Sequence, residues 1–341
     1  MIAQQPPQGF TLVTGATGFL GHVILADLLT RGHRCVVLSR AQAASTQQTI
    51  AALLGDQNLC ATELQARGRL EFMPGALPEA LPRMRLPIAR IVHCAASTRF
   101  TTDDRGEPAR TNEHGTRSLL EFATLQGVRE FHLISTAYSC GVVNGPVPEE
   151  VLQAPLHFRN SYERSKWAAE VQVQEWARSP GHTATILRPS IIVGDSRTGR
   201  ASKFNGLYLA FRAYDRCVRS WRQEGRGTGV FELRVEGGPT DRMNFVPVDH
   251  IAALIAHVVS NPEHHGSVYN LVDPAPMTNQ ELLDAMQQHY GLSGASFVPV
   301  ARTIDHPPSP EDRSFASAIS GQRAYLVTPP TFVRASTQQL E

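Results

Sequence analysis

The feature that most constrains the fold is a run of glycines that follows an apolar segment near the start of the chain. Phe10–Thr14 is a short apolar run typical of a buried strand, and Gly15, Gly18 and Gly21 come directly after it. A helical pattern of apolar residues follows over residues 19–31. A strand, a glycine turn and a helix in this order are typical of the first unit of a doubly wound α/β fold.

Each glycine has its own place in such a turn. Gly15 allows the tight turn, Gly18 lets the backbone come close to a pyrophosphate, and Gly21 lets the helix pack on the strand. The helix N-terminus then offers unpaired N–H groups and the positive end of its dipole to phosphates. We therefore expect this loop to bind a dinucleotide. The predicted phosphate-binding loop also contains Thr17, Phe19 and Leu20.

The end of the second predicted strand indicates which dinucleotide is bound. An enzyme that uses NAD usually has an acidic residue here, which binds the ribose 2′-OH. This chain has Ser39 and Arg40 instead. A guanidinium suits the 2′-phosphate of NADP in charge and in bidentate geometry. The sequence therefore favours NADP(H), and the alternative is that Arg40 is a solvated loop residue.

Short β-branched runs alternate with longer amphipathic stretches through the first two-thirds of the chain. This alternation predicts the α/β class, with a doubly wound parallel sheet of the Rossmann type and helices on both faces. The predicted strands are Phe10–Thr14, Arg34–Ser39, Leu70–Met73, Arg90–Cys94, Glu130–Ser135 and Thr183–Arg188, and the predicted helices cover residues 19–31, 45–66, 109–126 and 161–178.

The alternation changes after Pro189, where a stretch rich in Gly, Arg and aromatic residues begins. We expect an NADP(H)-binding domain over residues 1–190, to which 241–274 returns. Residues 191–240 and 275–341 are expected to form a smaller, mostly helical substrate lobe. The elements predicted in this part are the strands Asn244–Val248 and Val268–Val272 and the helices 249–259 and 278–290.

Composition excludes several classes of protein. The formal net charge is +1, which gives no reason to expect nucleic acid or a membrane surface as partner. No apolar leader and no run of about 18 apolar residues is present, so we expect a cytoplasmic protein without a membrane span. The five cysteines are scattered, and the 13 histidines show no ligand spacing, so the sequence predicts no metal.

The candidate catalytic residues open the fourth predicted helix. Tyr162 and Lys166 are four residues apart and share one helix face. A nearby ammonium lowers the pKa of a phenol, which favours proton transfer near neutral pH. Upstream, Thr136 follows a predicted strand, and its hydroxyl is placed to bind a carbonyl oxygen. The Tyr and Lys spacing alone is common, and it becomes specific only together with the glycine turn.

These residues resemble those of the extended short-chain dehydrogenases/reductases. The resemblance rests on Thr14–Gly21, on 93–97, on 112–116, on Ser135 and Thr136, on 162–166 and on 188–190. It implies that Thr136, Tyr162 and Lys166 form a catalytic triad and that Lys166 also holds the nicotinamide ribose. The remaining cofactor contacts that it implies are Ala95, Ala96 and Ser97 under the cofactor, Pro189, Ser190 and Ile191 at the nicotinamide, and a structural asparagine at Asn112.

A narrower resemblance points to the acyl-thioester reductases, which include fatty acyl-CoA reductases and the domains that release chains from carrier proteins. Its most specific piece is the run from Arg188 to Gly199. It implies reduction of an acyl-CoA or a carrier-bound thioester to an aldehyde, and possible further reduction to an alcohol. Ala76 stands where the family usually has the aspartate that contacts adenine. The resemblance alone favours a monomer, and the sequence leaves the oligomeric state open.

Arginines concentrate in the predicted substrate lobe. Residues 197–226 contain eight basic and two acidic residues, whereas the whole chain has a net charge of only +1. One interpretation is that they attract the phosphates of CoA or an acidic carrier protein. The other is an amphipathic helix with a solvated charged face. For the aromatic residues of the same stretch, which recur at helical spacing, core packing is the favoured interpretation.

Two other functions remain open from the sequence. The first is an aldehyde or ketone reductase, or a sugar-nucleotide-modifying enzyme, on the same scaffold, because one fold supports many activities. The second is a non-catalytic NADP(H) sensor, which the presence of both Tyr162 and Lys166 disfavours.

Overall fold

The computed structural model describes residues 9–39, 43–153, 157–202, 207–225, 229–298, 307–327 and 329–341. The chain divides into two compact units. The larger, here the sheet unit, comprises Met1–Arg200, Val246–Val272 and Phe332–Glu341, and the smaller, here the lobe, comprises Ala201–Phe245 and Asp273–Thr331. Within the described ranges, no helix combines the length and the apolar character needed to cross a bilayer.

The sheet unit is built on seven strands. In chain order they are β1 (Phe10–Thr14), β2 (Arg34–Ser39), β3 (Leu70–Pro74), β4 (Ile88–His93), β5 (Glu130–Ile134), β6 (Thr183–Pro189), and, after four strands of other sheets given below, β11 (Val268–Leu271). Their spatial order is β11-β6-β5-β4-β1-β2-β3, and each pair is parallel. The predicted doubly wound parallel sheet is therefore confirmed.

Helices cover both faces of this sheet. They are α1 (Gly21–Thr30), α2 (Ala43–Gly55), α3 (Ala61–Ala66), α4 (Gly115–Gln126), α5 (Ser161–Trp176) and α7 (Val248–Ser260). Successive residues of β1 point to opposite faces, so Leu12 packs in the cluster with α4 and α5, and Val13 in the cluster with α1 and α7. Burial on both faces explains why the strands are continuous apolar runs.

Several boundaries differ from the sequence prediction for local reasons. The predicted helix 45–66 is two helices, because the chain turns at Asn58, whose φ is +60°. The predicted helix 109–126 begins with a π-helical turn, Arg110–His114. The predicted strand Asn244–Val248 is reduced to β10 (Phe245–Pro247), which pairs with β7 (Ile191–Val193). Pro247, with φ −65°, directly precedes α7.

The lobe contains the predicted helix 278–290, observed as Asn279–Tyr290, together with strands and helices that the sequence pattern missed. It comprises α6 (Leu207–Gln223), β8 (Val230–Glu236), β9 (Arg242–Met243), β12 (Met277–Thr278), α8 (Asn279–Tyr290), β13 (Ser293–Val298), α9 (Pro310–Ala318) and α10 (Arg323–Val327). Strands β8 and β13 pair in parallel, and β9 and β12 antiparallel. Side-chain capping boxes begin both α8 and α9. Polar caps of this kind start helices even where apolar periodicity is weak.

Two of the four aromatic residues of α6, Tyr214 and Trp221, lie in the core of the lobe, whereas Tyr208 and Phe211 are only partly buried. Tyr214, Val218 and Trp221 are buried together with Phe231 of β8. Core packing, the interpretation favoured for these residues, accounts for all three. Phe204 and the side chain of Leu207 lie outside the described residues.

The last ten residues belong to the sheet unit rather than to the lobe, contrary to the predicted boundary. Val333 N–H donates to the Val147 carbonyl at 2.9 Å, and the Asn270 side chain donates to the Val333 carbonyl at 2.9 Å. The Thr337 hydroxyl donates to the Asn270 carbonyl at 3.2 Å. This segment therefore covers β11, the edge strand of the sheet. Residues 191–200 also lie in the sheet unit, ten residues beyond the predicted boundary.

Candidate active site

The glycine turn between β1 and α1 is closed by contacts that exclude side chains. Gly15 has φ +71°, and a Cβ there would lie 2.6 Å from the Ala95 nitrogen. A Cβ on Gly21 would overlap the Gly15 carbonyl, and Gly18 N–H donates to the same oxygen at 2.8 Å. The tight turn and the close helix packing expected for Gly15 and Gly21 are both present in this geometry.

The same loop has the donors that a pyrophosphate requires. Among the described residues, the main-chain N–H groups of Phe19 and Leu20 have no hydrogen-bond acceptor. They precede the first turn of α1, where the helix dipole favours an anion. The Leu20 side chain is buried in the core and Phe19 packs partly against it, so these residues offer their backbone rather than their side chains. The loop residues present therefore fit a dinucleotide phosphate.

The predicted discriminator between NADP and NAD lies only partly within the described structure. Ser39 ends β2, is 2% exposed, and its carbonyl accepts from Gly75 N–H at 3.0 Å. Arg40 lies outside the described residues. The preference for NADP(H) therefore stays a prediction.

A buried chain of hydrogen bonds runs below the turn. Thr14 Oγ1 lies 2.7 Å from His93 Nδ1, and His93 Nε2 lies 3.1 Å from Thr116 Oγ1. Thr116 donates to the Asn112 carbonyl at 2.6 Å, so its oxygen accepts from Nε2–H of His93. Nδ1 of His93 then accepts from Thr14. Burial, followed by the charge of Lys166, lowers the pKa of His93 to about 3, so the ring is neutral.

Asn112 joins the loop after β4 to α5. Its side chain is 1% exposed and makes three hydrogen bonds. It donates to the Ser97 carbonyl and to the Ser165 hydroxyl at 2.9 Å each, and it accepts from Ser97 N–H at 2.8 Å. Asn112 thus positions the loop against the helix, as expected for a structural asparagine. Ala95 N–H donates to Thr14 Oγ1 at 3.1 Å, which holds the other end of the loop.

The three candidate catalytic residues meet at the carboxyl end of β5. Lys166 is 2% exposed, and its Nζ donates to the Ile134 carbonyl at 2.7 Å. The Thr136 side chain hydrogen-bonds that of Tyr162. The ring of Phe100 lies beside that of Tyr162, with centroids 6.3 Å apart. Ser135, whose buried hydroxyl has no partner among the described residues, is a further candidate that sequence reasoning did not assign.

The pKa of Tyr162 differs from the sequence expectation. Burial raises it to about 12, and the hydrogen bond with Thr136 opposes the rise. Burial also lowers the pKa of Lys166 to about 8. The expected lowering of the phenol pKa by Lys166 is therefore not what this geometry produces, because burial is the larger effect. Tyr162 remains a protonated phenol near neutral pH.

A buried ion pair that sequence reasoning missed fixes α5, the helix that carries Tyr162 and Lys166, to the sheet. Glu170 and Arg188 are 0% and 1% exposed, and two hydrogen bonds of 3.0 and 2.7 Å join them. The Ser139 hydroxyl donates to Glu170 at 2.7 Å. Glu170 is one helical turn beyond Lys166, which is the only linear signal for its role. The pair thereby sets α5 against β6, after which Pro189, Ser190 and Ile191 follow.

The start of α5 is also held by side chains. Asn160 accepts from Glu163 N–H at 3.0 Å, and buried Glu163 accepts from Arg159 N–H at 3.0 Å. These bonds cap the helix directly before and after Tyr162. The candidate site as a whole lies at the carboxyl ends of the parallel strands, where open α/β sheets bind ligands.

Comparisons with known proteins show what the chain as a whole is similar to. A family model described as male sterility protein matches residues 13–255. The nonribosomal peptide synthetase asaC of Aspergillus flavus is 25% identical over 298 residues, which cover 82% of this chain and 27% of that protein. The chain spans about a quarter of the length of the first curated relatives that it matches.

Two solved structures share the fold. The terminal R domain from the myxalamid PKS-NRPS biosynthetic pathway has a TM-score of 0.74 at 24% identity, over 98% of this chain and 86% of that chain. A thiolation-reductase di-domain from an archaeal non-ribosomal peptide synthetase has a TM-score of 0.68 at 20% identity, over 95% and 67% of the two chains.

Proposed function

The chain belongs to the male sterility protein family of extended short-chain dehydrogenases/reductases, and on that premise we propose that it reduces an acyl thioester to an aldehyde with NADPH. The family match confirms the resemblance predicted from the sequence, and with it an NAD(P)-dependent oxidoreductase. The observation that carries the proposal is the hydrogen bond between the Tyr162 and Thr136 side chains at the carboxyl end of β5, where the buried Lys166 also lies.

Tyr162 and Thr136 act on the carbonyl oxygen of the substrate. The Tyr162 phenol, which hydrogen-bonds Thr136, donates a proton as negative charge develops on that oxygen. Bound NADPH supplies the hydride that the carbonyl carbon receives. Gly15–Gly21 and the loop held by Asn112 bind and orient the dinucleotide. The Lys166 ammonium adds positive charge beneath the site below pH about 8.

The thioester substrate determines the second half of the reaction. The tetrahedral hemithioacetal collapses, its C–S bond breaks, and the sulfur leaves as a thiol once it has taken up the hydroxyl proton. An aldehyde and a thiol result. No protein nucleophile is required, and burial raises the pKa of Cys94 to about 11, which keeps that neighbouring thiol protonated.

Two observations support a thioester rather than a simple carbonyl substrate. The run from Arg188 to Gly199 resembles acyl-thioester reductases. The relatives and structural neighbours named above are peptide synthetases and their reductase domains. A second reduction of the aldehyde to an alcohol uses the same donors and is a separate outcome of the assay.

NADPH is the proposed cofactor because Ser39 and Arg40 replace the acid that NAD enzymes use. Arg40→Glu is expected to weaken NADPH relative to NADH, as measured by the ratio of kcat/KM for the two cofactors. Arg31→Glu, which removes an arginine from the end of α1, is the control. An unchanged ratio in Arg40→Glu would move the 2′-phosphate site elsewhere.

The arginine face of α6 is proposed as the docking surface for an acidic carrier protein. A cavity of about 540 Å³ in the lobe is lined by Leu209, Arg212, Asp215, Arg216, Arg219 and Ala318. Arg219 pairs with Asp215 at 2.8 Å. Arg212 and Arg216 are exposed and make no ion pair with any described residue. Their charge is therefore available to an anionic partner.

Charge reversal tests the docking surface. Arg212→Glu with Arg216→Glu is expected to raise KM for a carrier-bound acyl thioester by about tenfold, while KM for a short acyl-pantetheine stays the same. Arg178→Glu, an exposed arginine of the sheet unit, is the control. Equal effects on both substrates would remove docking from the role of this face.

The assay of function compares three substrate classes: acyl-CoAs, a carrier-protein acyl thioester, and simple aldehydes and ketones. NADPH consumption and thiol release are followed together. We expect one thiol released for each NADPH in the first reduction. Turnover of aldehydes or ketones with no thiol released from any thioester would contradict the proposal and leave a carbonyl reductase.

A further inference from the structure

Three potential metal ligands meet at the end of the sheet opposite to the candidate active site. Glu130 and His132 lie on β5, at its amino-terminal end, and His265 follows the short helix Pro262–His264. The ligand atoms of the three side chains lie within 4.8 Å of one another. All three residues belong to the sheet unit. His265 lies far along the chain from the other two, so the three show no ligand motif in the sequence.

The two ring nitrogens of the buried His132 are available to bind a ligand. It is 1% exposed, and neither ring nitrogen has a hydrogen-bond partner among the described residues. Its ring lies 4.6 Å from that of His265, centroid to centroid. A buried polar group without a partner costs free energy, so an imidazole in this state is a strong indication of a missing ligand or bound water.

His265 is oriented as metal-binding histidines are. Its Nε2 lies 3.1 Å from the Val258 carbonyl, which can only accept, so Nε2 carries the proton. Nδ1 is then unprotonated, and it lies 3.8 Å from Glu130 Oε2. A backbone carbonyl that fixes the tautomer in this way is the usual outer partner of a ligating histidine.

Glu130 supplies the carboxylate of the cluster. Its Oε2 lies 3.0 Å from Arg90 Nη2, yet without the geometry of a hydrogen bond, so this oxygen has lone pairs to offer. Arg90 holds the carboxylate in place but also lowers the affinity for a cation. The Glu130 side chain is 33% exposed, whereas that of His265 is 6% exposed, although the Oε2 atom of Glu130 is itself buried.

The chemistry of the three side chains suits a metal. Two imidazoles and one carboxylate are a donor set typical of Zn²⁺ and related divalent ions. A tetrahedral zinc places its ligand atoms about 3.4 Å apart, so the side chains need to close by about 1 Å.

We propose that Glu130, His132 and His265 bind one divalent transition-metal ion of the zinc type, with water as fourth ligand. The sequence predicted no metal, because only the fold brings these residues together. The ion links β5 to the segment after α7, far from Tyr162, and its role is structural. This proposal does not rest on the proposed function.

Cobalt is the first probe, because tetrahedral Co²⁺ gives visible absorption bands. The tag-free full chain is treated with chelator and titrated with Co²⁺, and Zn²⁺ is then added as competitor. We expect one ion per chain, bands of a nitrogen- and oxygen-coordinated tetrahedral site, and their loss on adding Zn²⁺. Zn²⁺ is also expected to raise the Tm of the chelated protein by several degrees.

The variants identify the ligands. His265→Gln and Glu130→Gln are each expected to weaken Co²⁺ binding at least tenfold. His250→Gln, an exposed histidine of α7 outside the cluster, is the matched control and is expected to keep it. Melting curves recorded without metal show that each variant is folded before titration.

Two results would overturn the proposal. One is the absence of one-to-one binding by the unmodified chain. The other is binding that survives in both His265→Gln and Glu130→Gln. His264→Gln distinguishes a nearby competitor, because the rings of His257 and His264 lie 5.1 Å apart. Loss of the ion in His264→Gln alone would assign it to that pair and remove it from the cluster. None of these readouts uses catalytic turnover, so either proposal can fail without the other.

Discussion

At the carboxyl ends of the strands, Asn112 and Arg188 are buried and each makes several side-chain hydrogen bonds. On β5, the side chain of a buried histidine has no hydrogen-bond partner among the described residues. Asn112 makes three hydrogen bonds, and Arg188 makes two to Glu170 alone. The side chain of His132 makes no hydrogen bond to the residues that the structure describes. Satisfied groups hold one geometry, which is what proton transfer requires, and unsatisfied ones mark a place where something else binds.

The strongest test of this contrast breaks the Glu170–Arg188 pair. Glu170→Gln leaves the Arg188 charge buried without its partner, so we expect the free energy of unfolding to fall by about 3 kcal/mol. Chemical denaturation measures it. Glu63→Gln, which breaks an exposed i,i+4 pair with Arg67, is the control and should cost less than about 1 kcal/mol. Similar losses in both variants would mean that the buried pair does not fix the helix.

Tyr162→Phe tests whether the same end of the sheet carries the chemistry. The variant keeps the ring beside Phe100 and removes only the proton donor, so turnover is expected to fall by about 10² or more. NADPH binding, measured by fluorescence titration, should stay nearly unchanged. Tyr138→Phe, a buried tyrosine on the neighbouring turn, is the control. Retained turnover in Tyr162→Phe would exclude it from the mechanism.

His93 makes stability depend on pH. Its pKa is lowered to about 3 in the folded chain, so the unfolded chain binds more protons below its ordinary pKa of 6.5. The contribution of a neutral His93 is complete above pH 6.5 and is lost as pH falls toward 3, by about 2 kcal/mol at pH 5. His93→Gln should flatten this part of the denaturation profile, and His250→Gln should not. Identical slopes in the wild type and His93→Gln would contradict a buried neutral ring.

Lys166 gives the smallest expected effect. Its pKa is lowered to about 8, so the ammonium is lost as pH rises through that value. We expect kcat/KM for the thioester to fall up to tenfold per pH unit above about 8, with NADPH held at saturation. The free energy of unfolding changes in the other direction. It rises between pH 8 and 10.5, because in this range Lys166 binds more protons in the unfolded chain than in the folded one. A flat rate profile to pH about 10 would show that the charge of Lys166 is not used.

The sequence predicted the features that depend on local patterns, such as apolar runs and helical spacing. The bounds of β1 and β2 agree with the prediction, because buried parallel strands are continuous apolar runs ended by turn residues. Tyr162 and Lys166 were visible because helical spacing places residues i and i+4 together. The core role of Tyr214 and Trp221 followed from the same periodicity.

Contacts between distant elements have no such signal. Glu170 and Arg188 lie on a helix and a strand, and nothing in the local pattern pairs them. His132 and His265 meet only because β5 and the turn after α7 lie side by side. The pKa of Tyr162 was predicted in the wrong direction, since the sequence showed the lysine but not the extent of burial.

The last ten residues along β11 have a consequence for self-association. An edge strand presents a row of main-chain donors and acceptors that can pair with another chain. Val333 and Thr337 hydrogen-bond Asn270. The segment therefore covers this edge of β11 and leaves less of it open to pairing. A chain that ends before Phe332 would keep the candidate catalytic residues Thr136, Tyr162 and Lys166 but would leave the edge of β11 exposed. Its first defect would then be aggregation that grows with protein concentration rather than a slower reaction.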